Sequence, residues 1–206
     1  MQVENRPVID LSAENARQIC DRLQPGDLIF RHGTKKGVDA TFIRVFQQKV
    51  GGYSDVASNV THVAIYAGQG KVIHAVPPMV CEDDLASYFA GSKISIVTWD
   101  SAEGGRVLRA DSIISHLRQR IGIPYPRLAL MQHCLKEALA YKEIAPRLQQ
   151  DRKQQLAICS TVIFDSFDFV LDDKNPLYSD TVPQRVSILL PAHLFVQPGL
   201  IDLSLT

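Results

Sequence analysis

No stretch of the 206-residue chain approaches the roughly 20 consecutive apolar residues needed to cross a bilayer, so no transmembrane segment is expected. Neither sign of charge dominates. The 22 lysines and arginines equal the 22 aspartates and glutamates, which gives no electrostatic reason for nucleic acid or an anionic membrane to be a partner. Residues 1–20 lack a basic segment followed by an apolar run. No secretory signal is therefore expected, and the location expected is cytoplasmic, or exported by a signal-peptide-independent secretion system. Cysteine is scarce: Cys20, Cys81, Cys134 and Cys159 are scattered without a CxxC spacing, which argues against structural zinc and against a disulfide framework. No metal and no cofactor are expected. Internal repeats and low-complexity tracts are also missing. What remains is an ordinary globular composition, 46% hydrophobic and 21% charged, in a chain long enough for one domain over residues 1–206.

The pattern along the chain predicts a helix over residues 9–23 with Ser12 as N-cap. A Pro25-Gly26-Asp27 turn and a short buried strand at Leu28-Ile29-Phe30 follow. Residues 31–60 are polar and glycine-rich, with one amphipathic stretch over 40–50. There Phe42, Val45, Phe46 and Lys49 share a helical face, and the region reads as an insertion at the rim of a site. Thr61–Ala67 and Lys71–Val76 flank Gly68-Gln69-Gly70 and form the clearest hairpin. Residues 93–99 give a third strand. Helices are expected over about 110–121, over 127–142, and from Cys159 to Leu171, with a charged connector over 148–155. Strands first and long helices after fit an α+β fold with one antiparallel sheet packed against helices.

A turn centred on Gly68 sets His62 opposite His74, on one face of the hairpin. That register needs an odd-numbered loop, because a two-residue loop puts the rings on opposite faces. The plainer alternative is two unrelated half-buried histidines. Cys159 begins an apolar helix, where the positive end of the helix dipole lowers a thiol's pKa and favours the thiolate. A cysteine, a histidine base and a second polar side chain that orients the base form a nucleophilic set. Spacing alone does not choose among four cysteines and six histidines.

Residues Leu23–Phe30, Thr61–Ala75, Ile121–Tyr125 and Ile158–Val162, with the late Pro191–Phe195, occur in an order that resembles the circularly permuted branch of the papain-like NlpC/P60 superfamily. That branch includes the YiiX/YebB-like proteins and the lecithin:retinol acyltransferase-like group. The resemblance spans residues 23–196 and implies a permuted papain-like fold in which the histidine strand precedes the cysteine helix. It implies Cys159 as nucleophile, His62 as general base, His74 as the third polar residue, and Tyr125 in the oxyanion environment. The backbone N–H of Cys159 is a further oxyanion candidate.

The activity implied is a cysteine peptidase or amidase working on a peptidoglycan stem peptide, recycled in the cytosol or attacked by an exported antibacterial effector with a secretion-system or immunity partner. A lipid or thioester acyltransferase acting on an acyl substrate is the second enzyme reading. A non-catalytic binding module on the same scaffold is the third. His32 reads as a solvated loop residue and His116 and His133 as surface or half-buried helix residues. Asp165 and Asp168 read as capping or solvated, Asp172-Asp173 has the wrong spacing for calcium, and nothing in the sequence activates Cys81.

Overall fold

The computed structural model of the chain describes residues 6–33, 38–99, 106–140, 157–177 and 189–203. The chain opens with β1 (Ile9–Leu11) and α1 (Ala13–Arg22). The single helix expected from residue 9 is thus split, and the cause is local. The Ser12 hydroxyl accepts the Asn15 N–H while the Asn15 side chain accepts the Ser12 N–H, a capping box that fixes the helix start. The residues before it pair with a strand instead.

After β2 (Leu28–His32), α2 (Val38–Lys49) and α3 (Asp55–Ser58) come β3 (Val60–Gly68), β4 (Lys71–Val76) and β5 (Met79–Asp84). Then follow α4 (Leu85–Phe89), β6 (Ser92–Trp99), α5 (Arg106–Arg118), α6 (Arg127–Ala140), α7 (Cys159–Leu171), α8 (Pro191–Phe195) and β7 (Leu200–Asp202). The connector expected over 148–155 lies outside the described residues. The fold is α+β. Among the described residues, seven strands form one antiparallel sheet in the order β1-β6-β2-β3-β4-β5, with β7 also on β6.

Strand alternation divides the core between the two faces of this sheet. Leu28, Phe30, Val63 and Ile65 face one way, into a cluster closed by α5, α7 and α8. Ile29, Ala64, Tyr66 and Val72 face the other way, against α1 and α4. α2 is bound into the same body through Gln47, which is fully buried. Its amide nitrogen donates to the carbonyls of Ser58 and Val60 at 2.9 and 2.8 Å, and its oxygen accepts the Ala192 N–H at 2.9 Å. Three backbone groups at the α3–β3 and α8 junctions are thus bonded by one side chain. Among the described residues no helix is long and apolar enough to cross a membrane.

Candidate active site

The site is positioned by an irregularity in the β3–β4 hairpin. Its loop is a two-residue turn at Gln69-Gly70, with φ +52° and +73°, and Gly68 pairs with Lys71. Positive φ at both central residues is the requirement of the tight hairpin turn. An unbroken ladder from that turn sends His62 and His74 to opposite faces. The register shifts between Tyr66 and Gly68, however, so that Ala67 is an extra residue and Tyr66 pairs with Val72 and Ile65 with Ile73. Continued along the strands, this pairing sets Ala64 opposite His74 and makes His62 its diagonal neighbour on the same face. Direct opposition of the two histidines, expected from a loop centred on Gly68, is corrected: they are two residues out of opposition, and the bulge returns them to one face.

The side chains close the gap. His62 Nε2 lies 2.9 Å from His74 Nδ1, and His74 Nε2 lies 3.0 Å from Asp83 Oδ2. Both imidazoles are buried, against Tyr88 and Phe89 of α4. Burial holds both below the ordinary histidine pKa: His62 well below it, and His74 less so because Asp83 pulls it back up. The same bond to His74 lowers the Asp83 carboxyl. At neutral pH the set is therefore one carboxylate and two neutral rings.

Cys159 stands at the first position of α7, after the N-cap Ile158. The helix start is held by the Thr161 hydroxyl, which accepts the Ile158 N–H at 3.1 Å, and by Ser160, which donates to the Leu189 carbonyl at 2.7 Å. The β3–β4 backbone ladder stops at the Ile65–Ile73 pair. Beyond it the N–H of Val63, the residue after His62, faces the thiol together with the N–H groups of Ser160 and Cys159 itself. These donors and the Arg31 guanidinium pull the thiol's pKa down, but Cys159 is only 3% exposed and burial outweighs them, pushing it up. The lowered pKa expected from the helix dipole alone is thus overturned by desolvation. Cys159 thus rests as a neutral thiol and His62 as a neutral imidazole.

Two residues that the sequence did not single out also converge here. Arg31, directly across β2–β3 from His62, sets its guanidinium carbon 5.3 Å from the Tyr88 ring centre. Its charge reaches Cys159, His62 and His74. Its Nε is buried without a hydrogen-bond partner among the described residues. Tyr88, in turn, is within electrostatic reach of Cys159. Tyr125 is half-buried where the cluster holding Ile158 meets the one holding Cys159. Its backbone N–H donates to Pro78 at 2.8 Å, which ties this stretch to the β4–β5 turn.

Of the residues set aside, His32 is not a solvated loop side chain. It is 4% exposed at the end of β2, 2.8 Å from Ser95 Oγ. His116 is half-buried, 3.1 Å from Ser166 Oγ, and the His133 side chain lies outside the described residues. Asp165 pairs with Arg120 at 3.1 Å. Cys81 is directly opposite His74 on β5, its thiol 3.4 Å from Asp83 Oδ2. His74, Cys81 and Asp83 thus gather an imidazole nitrogen, a thiol and a carboxylate within 4.8 Å of one another. That donor set suits a zinc-like ion.

No family model and no curated protein matches this sequence. Among solved structures, the fold is similar to that in the crystal structure of metalloprotein YiiX (DUF1105) from Escherichia coli O157:H7, with a TM-score of 0.54 at 18% identity. The likeness covers 89% of this chain and 97% of that one.

Proposed function

We propose that the chain is a cysteine hydrolase of the peptidase or amidase type, on the permuted NlpC/P60 papain-like scaffold, acting through an acyl-enzyme. The observation that carries this reading is the run of hydrogen bonds from Asp83 through His74 to His62, on the strand whose next N–H, that of Val63, faces the thiol of a cysteine that opens a helix. An ionised carboxylate only accepts, so Asp83 takes the Nε2–H of His74 and leaves His74 Nδ1 as an acceptor. His62 then donates from Nε2 and keeps its lone pair on Nδ1, the nitrogen left for Cys159.

In the acylation step His62 takes the Sγ proton as the sulfur bonds to the substrate carbonyl carbon and the carbonyl oxygen gains the electron pair. The N–H groups of Cys159 and Val63 and the Arg31 guanidinium supply positive potential to that oxygen. Collapse breaks the C–N bond, His62 protonates the departing amine, and a thioester remains on Cys159. Water, deprotonated by His62, attacks the thioester and regenerates the thiol. The substrate class this reading favours is a bacterial stem peptide, met either in the cytosol or after delivery as an antibacterial effector. Purified muropeptides with wild type and Cys159→Ala test it: cleavage by wild type alone is expected. No turnover on any stem peptide sinks the cell-wall version.

A second reading, lipid or thioester acyl chemistry, is favoured by the apolar surroundings of the nucleophile, which belongs to the main hydrophobic cluster with Val63, Val162 and Ile163. Labelled acyl groups transferred from phospholipid to Cys159 would select it over peptide cleavage. Failure of both to acylate Cys159 leaves a binding module.

A further inference from the structure

His74 and the Asp83 carboxylate that orients it have a third neighbour, Cys81, which has no part in the proposed acyl transfer. Cys81 is directly across the β4–β5 ladder from His74, and Asp83 is two residues further along the same face of β5. His74 Nε2 lies 3.0 Å and Cys81 Sγ 3.4 Å from Asp83 Oδ2, and all three donor atoms fall within 4.8 Å. Around a tetrahedral zinc ion, neighbouring nitrogen, oxygen and sulfur donors stand about 3.4–3.6 Å apart. Seating an ion therefore needs His74 and Asp83 to part by a few tenths of an ångström and Cys81 to swing inward. A thiolate and a carboxylate balance the two positive charges. Asp83 is 43% exposed in its side chain while His74 is fully buried, so the site has an open outer side and a closed inner one.

We propose that His74, Cys81 and Asp83 form a divalent metal site of the zinc class, and that an ion bound there turns off the His62 base. The second half rests on the hydrolase reading above. The ion takes the place of the proton between His74 Nε2 and Asp83 Oδ2. A neutral imidazole metallated at Nε2 carries its proton on Nδ1. The His62 Nε2 proton therefore crosses to His74 Nδ1, and a proton equivalent to the one displaced from His74 returns at His62 Nδ1. Each ring keeps one proton, and the single proton released to solvent comes from the Cys81 thiol. His62 Nδ1 now holds a proton where it needs a lone pair, so it accepts nothing from Cys159.

The test uses the metal-free full-length chain. Titration with Co2+ is expected to give a thiolate-to-cobalt charge-transfer band in wild type. In Cys81→Ser that band is expected to be lost, because the thiolate that gives rise to it is gone. With 15N-labelled histidine and Zn2+, the proton on the His62 ring is expected to move from Nε2 to Nδ1. The same spectra recorded on Cys159→Ala are expected to show the same move, so they do not depend on any substrate being turned over. Absence of the band, or an equal band in Cys81→Ser, overturns the site. Zn2+ binding that leaves the His62 ring unchanged overturns the switch, and failure to find a substrate bears only on the hydrolase reading.

Discussion

At the scale of single residues, the proposed base is set by a group that touches neither the thiol nor the carbonyl carbon. Asp83 selects the His74 tautomer, and His74 selects that of His62. Asp83→Asn replaces a pure acceptor with a side chain that also donates, so the two rings lose the protonation pattern the thiol needs. Activity is expected to fall about 10- to 100-fold, with Asp83→Glu restoring part of it. Equal losses in the Asn and Glu variants would make the carboxylate a packing group. Cys159 makes a second expectation at this scale. Burial holds its thiol above the ordinary value of 9.0 and His62 stays neutral well below 6.5. Iodoacetamide labelling of Cys159 is therefore expected to keep rising as pH passes 9.0. A plateau reached near neutrality would show instead a preformed thiolate–imidazolium pair.

The element that decides the site is the β3–β4 hairpin, and its decisive residue is the least distinctive in it. Ala67 is the bulge that returns His62 and His74 to one face, so deleting it is expected to break the 2.9 Å contact between the rings. Loss of the nitrogen–nitrogen coupling across that bond in histidine NMR checks this, on a protein whose circular dichroism remains folded. Gln69→Asn serves as the opposite case. It relieves a left-handed position that asparagine tolerates better, with a gain of about 0.5 kcal/mol expected and the rings undisturbed. This hairpin also marks how far the sequence could be read. The strand runs and the cysteine helix were legible because alternation and a long apolar face are dense signals over Thr61–Val76 and Cys159–Leu171. The bulge was not, since no residue type announces an extra alanine. Asp83 was hidden for a related reason: Met79–Asp84 has few strand-forming residues, so nothing in it suggested a strand or fixed its register against β4. The direction of the Cys159 shift lay beyond sequence altogether, because desolvation depends on how completely distant segments cover the thiol.

For the molecule as a whole, the same burial that keeps the proposed base neutral makes stability depend on pH. His32, His62, His74 and His193 are all buried with pKa values below 6.5, His193 down to about 4. His193 sits on α8, where the Tyr53 hydroxyl lies 3.1 Å from its Nδ1. In the unfolded chain each imidazole takes up a proton near 6.5, while in the folded chain it does so only at lower pH. Between those values the unfolded state binds more protons, so folding stability is fully present above 6.5 and is lost as pH falls toward each folded value. His193 alone accounts for about 3 kcal/mol between pH 6.5 and 4, a sizeable part of the roughly 5–15 kcal/mol that holds a domain of this kind together. Asp83 and Asp84, held below 3.8, act in the same direction but only in a more acid range. Urea unfolding at pH 7 and at pH 5 is therefore expected to show a marked loss at the lower value, with net proton uptake on unfolding at pH 5. His193→Gln is expected to flatten that dependence by about one proton, whatever it costs at pH 7. A pH-independent midpoint between 7 and 5 would mean that the buried rings take up protons in the fold as readily as in the unfolded chain, so that below 6.5 a charged His62 has no lone pair with which to take the Cys159 proton.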